Sequence, residues 1–226
     1  MIADNIQQVH ERVASACALA SRPVESITLL AVSKTFGPES VREAFAAGER
    51  RFGENYVLEG IEKIAALADL RQQIEWHLIG PLQSNKTRVV AEAFDWVHSV
   101  DRLKIAQRLS DQRPAHLPPL QVCLQVNISK ESSKSGLKPD ETLAVALAVA
   151  ALPRVTLRGL MAIPEPAEDF AEQRAAHRAL RELLESLQAS GLVVDTLSMG
   201  MSADLEAAVA EGATIVRIGT AIFGKR

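Results

Sequence analysis

Apolar segments with strand character alternate with amphipathic segments of helical periodicity along the whole chain. Strict alternation predicts parallel strands joined by crossover helices. Eight such units in 226 residues match the count and size of a (β/α)₈ TIM barrel. A doubly wound open sheet would also alternate, but no Gly-x-Gly-x-x-Gly motif follows an early strand. The predicted strands are 29–35, 51–54, 74–79, 96–100, 120–127, 155–163, 193–199 and 214–218.

An extra helix is predicted before the first strand, since apolar residues recur at helical spacing at Ile2, Ile6, Val9, Val13 and Cys17. The other predicted helices are 39–47, 56–70, 84–93, 102–113, 140–151, 167–189 and 203–211, with a short closing helix or tail at 219–226. A Pro-rich loop is expected at 114–119, a polar loop at 129–139 and a break at 164–166. Without a long linker, we expect one α/β domain over 1–226.

Composition excludes several classes of function. The net charge is −3 with acids and bases interspersed, so no basic face for nucleic acid or an anionic membrane is expected. No signal peptide is recognisable, and the longest uncharged run, 142–153, is too short to span a bilayer. Cys17 and Cys123 lie in apolar surroundings, which predicts reduced core cysteines. We therefore expect a cytoplasmic protein.

A single lysine ends the apolar run Leu29–Thr35. If this run is a buried strand, Lys34 lies where a rigid element leaves the core, partly desolvated. Desolvation disfavours a charged lysine and makes its neutral amine available for Schiff-base chemistry. The alternative is that Lys34 only extends its ammonium to solvent, as lysines at strand ends often do.

The loops after the seventh and eighth strands are rich in small and hydroxyl residues. In TIM barrels these loops often bind phosphate, at the carboxyl ends of the strands. The candidates after strand seven are Ser198, Met199 and Ser202, and those after strand eight are Gly219 and Thr220. The alternatives are a helix N-cap for Ser202 and an ordinary turn for Gly219.

Arg217 is the one cation in an apolar strand. It shares a face with Ile215, just as Lys34 shares a face with Leu30 and Val32. Because a barrel makes its first and last strands neighbours, Arg217 and Lys34 are expected to approach each other. An arginine paired with an acid at the rim is the alternative.

Other polar side chains follow strands two to four. Asn55 lies at the functional end of the barrel, or serves as a helix N-cap. His77 and His98 are either satisfied core histidines or contacts of a ligand. A polar and aromatic cluster follows strand three, formed by Trp76, His77, Gly80, Gln83, Asn85 and Lys86. Neither a metal-ligand spacing nor a Gly-x-Ser-x-Gly nucleophile motif is present.

Five ordered motifs together resemble the pyridoxal 5′-phosphate (PLP) homeostasis protein family, which is similar to the barrel domain of alanine racemase. They are Ala-Val-Ser-Lys-Thr at 31–35, Phe-Gly-Glu-Asn at 52–55, Trp-His-Leu-Ile-Gly-Pro-Leu-Gln-Ser-Asn-Lys at 76–86, Ser-Met-Gly-Met-Ser at 198–202 and Val-Arg-Ile-Gly-Thr-Ala-Ile-Phe-Gly at 216–224. The resemblance covers nearly the whole chain.

The resemblance implies PLP as cofactor and a role for each candidate. Lys34 would hold the aldehyde as a Schiff base, and Arg217 would face the pyridine nitrogen. Asn55 would lie near the ring. The phosphate would contact Ser202, Gly219 and Thr220, with Ser198 or Met199 close by.

The resemblance also implies binding and delivery of PLP, with effects on amino-acid and keto-acid balance, in place of turnover. An arginine at the pyridine nitrogen weakens the ring as an electron sink. Racemisation needs a second acid/base, which a tyrosine from another domain supplies in alanine racemase, and this chain has one tyrosine, Tyr56. We expect a monomer that passes PLP to apo PLP enzymes. The alternatives to this non-catalytic function are an amino-acid racemase and a cofactor-free Schiff-base aldolase.

Overall fold

Eight parallel strands close into a barrel in a computed structural model, which describes residues 1–129 and 135–224. Each strand pairs with the next, and β1 closes the ring against β8, with Leu30 opposite Arg217. The strands are β1 (Thr28–Val32), β2 (Arg51–Glu54), β3 (Glu75–Leu78), β4 (Trp96–Val100), β5 (Leu120–Gln125), β6 (Val155–Met161), β7 (Thr196–Ser198) and β8 (Ile215–Ile218). The (β/α)₈ barrel predicted from the alternation is confirmed.

Helices surround the barrel, and the additional amino-terminal helix is present. They are α1 (Ile2–Leu19), α2 (Pro38–Ala46), α3 (Val57–Ala66), α4 (Thr87–Ala93), α5 (Leu103–Gln112), α6 (Thr142–Ala150), α7 (Phe170–Ala189), α8 (Leu205–Ala210) and α9 (Thr220–Phe223). α7, for example, presents an apolar stripe of Leu180, Leu184 and Leu187 to the strands. Such a stripe follows from apolar residues three and four positions apart.

Alternate strand residues divide the core into two parts. The outward residues pack under the helices. The inward residues form a small apolar cluster inside the barrel, made of Leu30, Trp96, Cys123, Met161 and Ile215. Cys17 and Cys123 are both buried and free, as predicted.

The first strand ends earlier than predicted. β1 stops at Val32, and Thr35 adopts a left-handed conformation with φ 70°. A left-handed residue cannot continue an extended strand. Lys34 therefore lies in a turn just beyond β1 and is exposed, so the expectation of a partly desolvated strand lysine is wrong.

The amino-terminal helix α1 packs against α8 and α9. These two helices follow the loops after β7 and β8, which were predicted to bind phosphate. Arg12 of α1 forms an ion pair with Glu206 at 2.6 Å and donates to the carbonyl oxygen of Ser202 at 2.8 Å. Asn5 donates to the carbonyl oxygen of Ile222 at 2.8 Å. The helix thus fixes the loops after β7 and β8.

Other boundaries differ by a few residues. The predicted helix 56–70 ends at Ala66 and continues as a 3₁₀ turn, and the predicted strand 193–199 narrows to 196–198. Residues 130–134 of the predicted polar loop and 225–226 of the closing tail lie outside the described residues. Within the described ranges, every helix is too short or too polar to cross a membrane.

Candidate functional site

A cavity of about 790 Å³ opens at the carboxyl ends of the strands. Its size falls within the roughly 300–1,000 Å³ of typical small-molecule sites. Six predicted site residues line it, namely Lys34, Asn55, Ser202, Arg217, Gly219 and Thr220. The lining also contains the apolar residues Val32, Phe36, Ile79, Ile163 and Met201, of which Met201 belongs to the loop after strand seven that was predicted to bind phosphate. The barrel therefore brings residues from strands one, two, seven and eight to one place.

The cavity carries two cations and no acid among its described lining residues. Lys34 forms no hydrogen bond or ion pair with the described part of the chain. Arg217 is buried, with 4% of its surface exposed. Uncompensated charge of one sign in a concave site favours a ligand of the opposite sign. The arrangement suits an anionic ligand with a group that reacts with an amine.

Arg217 is held by neutral oxygens. Its Nη1 donates to Ser198 Oγ at 2.8 Å, and its Nη2 donates to the carbonyl oxygen of Ala162 at 2.9 Å. Burial lowers the pKa of Arg217 to about 10, although the charge of Asp204 opposes this. The alternative of a rim arginine paired with an acid is wrong, because no described carboxylate bonds to this guanidinium.

Ser198 and Met199, which were predicted to lie close to the phosphate, are not among the residues that line the cavity. Both are fully buried. The Ser198 hydroxyl faces Arg217 and the interior of the barrel, and the Met199 amide donates to the carbonyl oxygen of Ile215 at 3.1 Å. Ser198 therefore acts on the cavity through Arg217, whereas Met199 follows β7 and packs in the outer core under the helices.

The loops after β7 and β8 form one side of the cavity. Ser202 is not the N-cap of α8, because Asp204 occupies that position. Gly219 immediately precedes α9, and a Cβ there would lie 3.1 Å from the carbonyl oxygen of Val32. The absent side chain allows this loop to pass close to β1. Thr220 follows it and is exposed at the cavity rim.

Asn55 contributes an unsatisfied polar atom. Its Oδ1 is buried and has no hydrogen-bond partner among the described residues. Tyr56, and not Asn55, is the N-cap of α3, so the N-cap interpretation of Asn55 is wrong. A buried polar atom without a partner is costly in a folded protein. Since Asn55 lines the cavity, a bound ligand could satisfy it.

A buried ionic cluster holds the turn that carries Lys34. The Nζ of Lys63 donates to Glu54 Oε1 at 2.6 Å, to Glu59 Oε1 at 3.2 Å and to the carbonyl oxygen of Ser33 at 2.8 Å. Glu54 also accepts from the Ser33 hydroxyl, and Glu59 accepts from the amide of Thr35. Both neighbours of Lys34 are thereby fixed.

Sequence reasoning gave no role to this cluster. Burial raises the pKa of Glu54, while Lys63 and Ser33 oppose the rise. One signal was available, because Lys63 lies on the same face of α3 as the buried Gly60 and Ile64. A lysine on the buried face of a helix needs an acidic partner.

His77 and His98 are interior residues, fully buried, and neither lines the cavity. His77 Nδ1 lies 2.8 Å from His98 Nε2. They are therefore satisfied core histidines. Trp76 faces the other way and packs on Phe52, with ring centroids 5.9 Å apart. The cluster predicted after β3 has three other polar side chains, and none of them lines the cavity. They are Gln83, Asn85 and Lys86.

Two further cavities, of about 500 and 410 Å³, lie at the amino-terminal mouth of the barrel. Several of their arginines are matched to acids, as in the pairs Arg71–Asp95 and Arg158–Asp195, each at 2.7 Å. The described residues contain no group of three or more His, Cys, Asp and Glu side chains that could hold a metal ion. The cavity with Lys34 is therefore the candidate site.

Comparison with known proteins gives related sequences over the full length. A model of the alanine racemase N-terminal domain matches residues 2–226. The pyridoxal phosphate homeostasis protein of Pseudomonas aeruginosa is 62% identical over 225 residues, covering 100% of this chain and 96% of the relative. The protein of the same name from Escherichia coli strain K12 is 54% identical, covering 100% and 97%.

Solved structures agree with this relationship. PipY of Synechococcus elongatus, in its structure with PLP bound, is 40% identical with a TM-score of 0.84, covering 99% of this chain and 100% of PipY. An alanine racemase of Clostridium difficile 630 has a TM-score of 0.72 over 96% of this chain and 56% of its own, but at 14% identity it shows a shared fold alone. This chain belongs to the pyridoxal phosphate homeostasis protein family.

Proposed function

We propose that this chain binds pyridoxal 5′-phosphate, held as a Schiff base on Lys34, and acts in PLP homeostasis and amino-acid/keto-acid balance without catalysing turnover. The observation that carries the proposal is the cavity with two cations and no described acid. The unsatisfied Oδ1 of Asn55 supports a polar ligand there. PipY, whose solved structure contains PLP, and the names of the curated relatives support the same ligand.

Each cavity residue suits one part of this molecule, which supplies an aldehyde and an electron-withdrawing ring when bound. Lys34 would hold the aldehyde carbon as a Schiff base, with its Nζ in place of the aldehyde oxygen, which leaves as water. Ser202, Gly219 and Thr220 would donate to the phosphate. Asn55 would lie near the ring. Arg217 would donate to the pyridine nitrogen.

The arginine also argues for binding without turnover. A guanidinium has donors only, so a ring nitrogen bonded to Arg217 accepts a hydrogen bond and stays unprotonated. The ring is then a weak electron sink, unlike a ring paired with an acid. Arg217 therefore holds the ligand without activating it.

An amino-acid racemase is the second candidate, because the family model is that of the alanine racemase N-terminal domain. Racemisation needs an acid/base on the face of the ligand opposite Lys34. The single tyrosine, Tyr56, is exposed and is not among the described cavity residues. The non-catalytic function therefore fits the described site better.

We also propose the setting of this function. The buried, free cysteines Cys17 and Cys123 suit a reducing cytoplasm. We propose a single domain over residues 1–226, a monomer, and apo PLP enzymes as recipients of the ligand.

Borohydride trapping tests the covalent bond. Purified protein with PLP should show a visible absorption band that borohydride abolishes, and mass spectrometry should locate the reduced adduct on Lys34. Lys34→Ala should lose the adduct, whereas Lys104→Ala, which removes an exposed lysine of α5, should keep it. An equal adduct in Lys34→Ala would refute the assignment.

Two further measurements separate the functions. Exchange of an amino acid's α-hydrogen in deuterated solvent should be no faster than with free PLP, and a much faster exchange would favour the racemase. Transfer of bound PLP to an apoenzyme, timed against release into solution, tests delivery.

A further inference from the structure

A line of polar side chains crosses the inside of the barrel from one mouth to the other. Glu75 begins β3 at the amino-terminal mouth, with 41% of its side chain exposed, and Arg217 lies in the cavity wall. The three residues between them are fully buried. The contacts are Glu75 Oε1 to His77 Nε2 at 3.0 Å, His77 Nδ1 to His98 Nε2 at 2.8 Å, His98 Nδ1 to Ser198 Oγ at 2.7 Å, and Ser198 Oγ to Arg217 Nη1 at 2.8 Å. We call this line the interior chain.

The two ends of the interior chain fix its direction. A carboxylate only accepts, so Nε2 of His77 must carry a hydrogen and donate to Glu75. The Nδ1 of a neutral His77 is then an acceptor, which requires His98 to donate from its own Nε2. The Nδ1 of a neutral His98 accepts in turn from the Ser198 hydroxyl. Arg217 only donates, so Ser198 accepts from it. Every contact then has one donor and one acceptor.

The opposite direction fails at Glu75. If His98 donated from Nδ1 to Ser198, then Nε2 of His98 would accept from Nδ1 of His77. The unprotonated Nε2 of His77 would then face the carboxylate of Glu75, and two acceptors would meet at 3.0 Å.

Burial favours the neutral form of both histidines. Burial lowers the pKa of His77, although Glu75 and Asp95 oppose this, and burial together with the positive charge of Arg217 lowers the pKa of His98. The indole of Trp96 stacks on His77, with ring centroids 5.3 Å apart. The charged groups that face the pair are Glu75, Asp95, Arg51 and Arg217.

We infer that Glu75 is a positioning residue for the cavity at the other end of the barrel, because its carboxylate fixes the tautomers of His77 and His98 and thereby the hydroxyl of Ser198 that orients Arg217. The Ser198 hydrogen points away, so only its lone pairs face the guanidinium. With the carbonyl oxygen of Ala162 on Nη2, two donors of Arg217 are held. The remaining donors keep a fixed direction in the cavity wall. The inference rests on the proposed function only where it names the pyridine nitrogen of PLP as the acceptor for these remaining N–H groups of Arg217.

The wild-type protein without ligand gives the first test. Long-range ¹⁵N–¹H correlation of the histidine rings distinguishes a protonated Nε2 from a protonated Nδ1. His77 and His98 should both be neutral with the hydrogen on Nε2 at neutral pH. Either ring with its hydrogen on Nδ1, or doubly protonated, overturns the inference, and no variant has to fold for this result.

Variants at Glu75 give the second test. Glu75→Leu removes the acceptor, so we expect altered ring-nitrogen shifts at both histidines, a shifted visible band of bound PLP, and affinity lower by roughly two- to thirtyfold. Glu75→Gln keeps an oxygen acceptor and should restore the wild-type tautomers. Asp195→Asn removes a carboxylate at the same mouth that bonds to Arg158, and it should change none of these signals.

The outcomes separate this inference from the proposed function. A folded Glu75→Leu protein could show the same histidine nitrogen shifts, the same visible band of bound PLP and the same PLP affinity as wild type. That result would overturn the inference and leave PLP binding intact. Absence of PLP binding in the wild type, with both rings protonated on Nε2, would overturn the proposed function and leave the positioning of Arg217 intact.

Discussion

The ammonium of Lys63 donates to the carbonyl oxygen of Ser33 over 2.8 Å, and the next residue in the chain is the exposed Lys34. The amine on the cavity wall is therefore placed by a second lysine on α3 that is itself buried. The left-handed Thr35 completes the turn, with its amide held by Glu59. A non-glycine residue in this conformation persists only where its surroundings enforce it. A flexible side chain thus begins from a rigid backbone.

Lys63→Met should destabilise the protein. Removing one partner of a buried ion pair leaves the other charge uncompensated, which typically costs about 3–5 kcal/mol. Here Glu54 is 0% exposed and Lys63 is 4% exposed. Urea denaturation should show the loss, and trapping by borohydride should become slower as the turn loses its support. Arg42→Met, which breaks the exposed pair of Arg42 with Asp69, is the control and should change stability little. A Lys63→Met protein as stable as this control would contradict the structural role.

Thr220→Val should weaken the binding of PLP and spare the binding of pyridoxal, which lacks the phosphate. A hydrogen bond to a charged group contributes about 1.5–3 kcal/mol, so affinity for PLP should fall by roughly ten- to a hundredfold. Fluorescence titration with both ligands measures the difference. Thr28→Val, the same change at the opposite mouth, should alter neither affinity. Equal losses for both ligands would place the phosphate elsewhere.

Gly80→Ala should disturb Asn55. A Cβ at Gly80 would lie 2.0 Å from the carbonyl oxygen of Asn55, closer than any real contact. The backbone must move, and overpacking of this kind costs about 1–3 kcal/mol. Thermal unfolding should show the loss, together with weaker PLP binding. Gly191→Ala is the control, since it adds backbone strain at φ 89° but meets no atom within 4 Å. Unchanged PLP affinity in Gly80→Ala would argue against a role for Asn55.

Acid should remove a contribution of Glu75 to stability. Burial opposes its ionisation, but the hydrogen bond from His77 and the charge of Arg51 outweigh this and lower its pKa from 4.5 to about 2. A carboxyl group with a lowered folded-state pKa stabilises the fold above its unfolded pKa, and this contribution is lost as pH falls from about 4.5 towards 2. The melting temperature of wild type should exceed that of Glu75→Gln at pH 6, and the gap should narrow by pH 3. A gap that is the same at both pH values would show that Glu75 has no shifted pKa.

Several features could be predicted because they depend on short stretches of sequence. Alternation of strand and helix patterns gave the barrel, since each apolar period reflects which face of an element is buried. Arg217 and Lys34 were found because each is a lone cation in an apolar run. Barrel closure brings β8, which carries Arg217, beside β1, which Lys34 follows, and both residues line the same cavity.

Other features depend on contacts between distant residues. The end of β1 was misplaced because the left-handed turn at Thr35 is stabilised by Glu59, 24 residues away. Ser198 was assigned to the ligand because its motif is local, whereas its partner His98 lies 100 residues earlier in the chain.

By itself, the sequence determined the order of elements, the number of strands and the residues that bear chemistry, because hydrophobic periodicity and residue type are local properties. Tertiary structure alone decided that Lys63 and Glu54 hold the turn that carries Lys34. It also decided that Ser198 contacts Arg217 and that His98 and His77 continue this line of hydrogen bonds. The physical reason is that a buried polar group must find a partner wherever the fold supplies one, and residues from different strands meet only when the barrel closes.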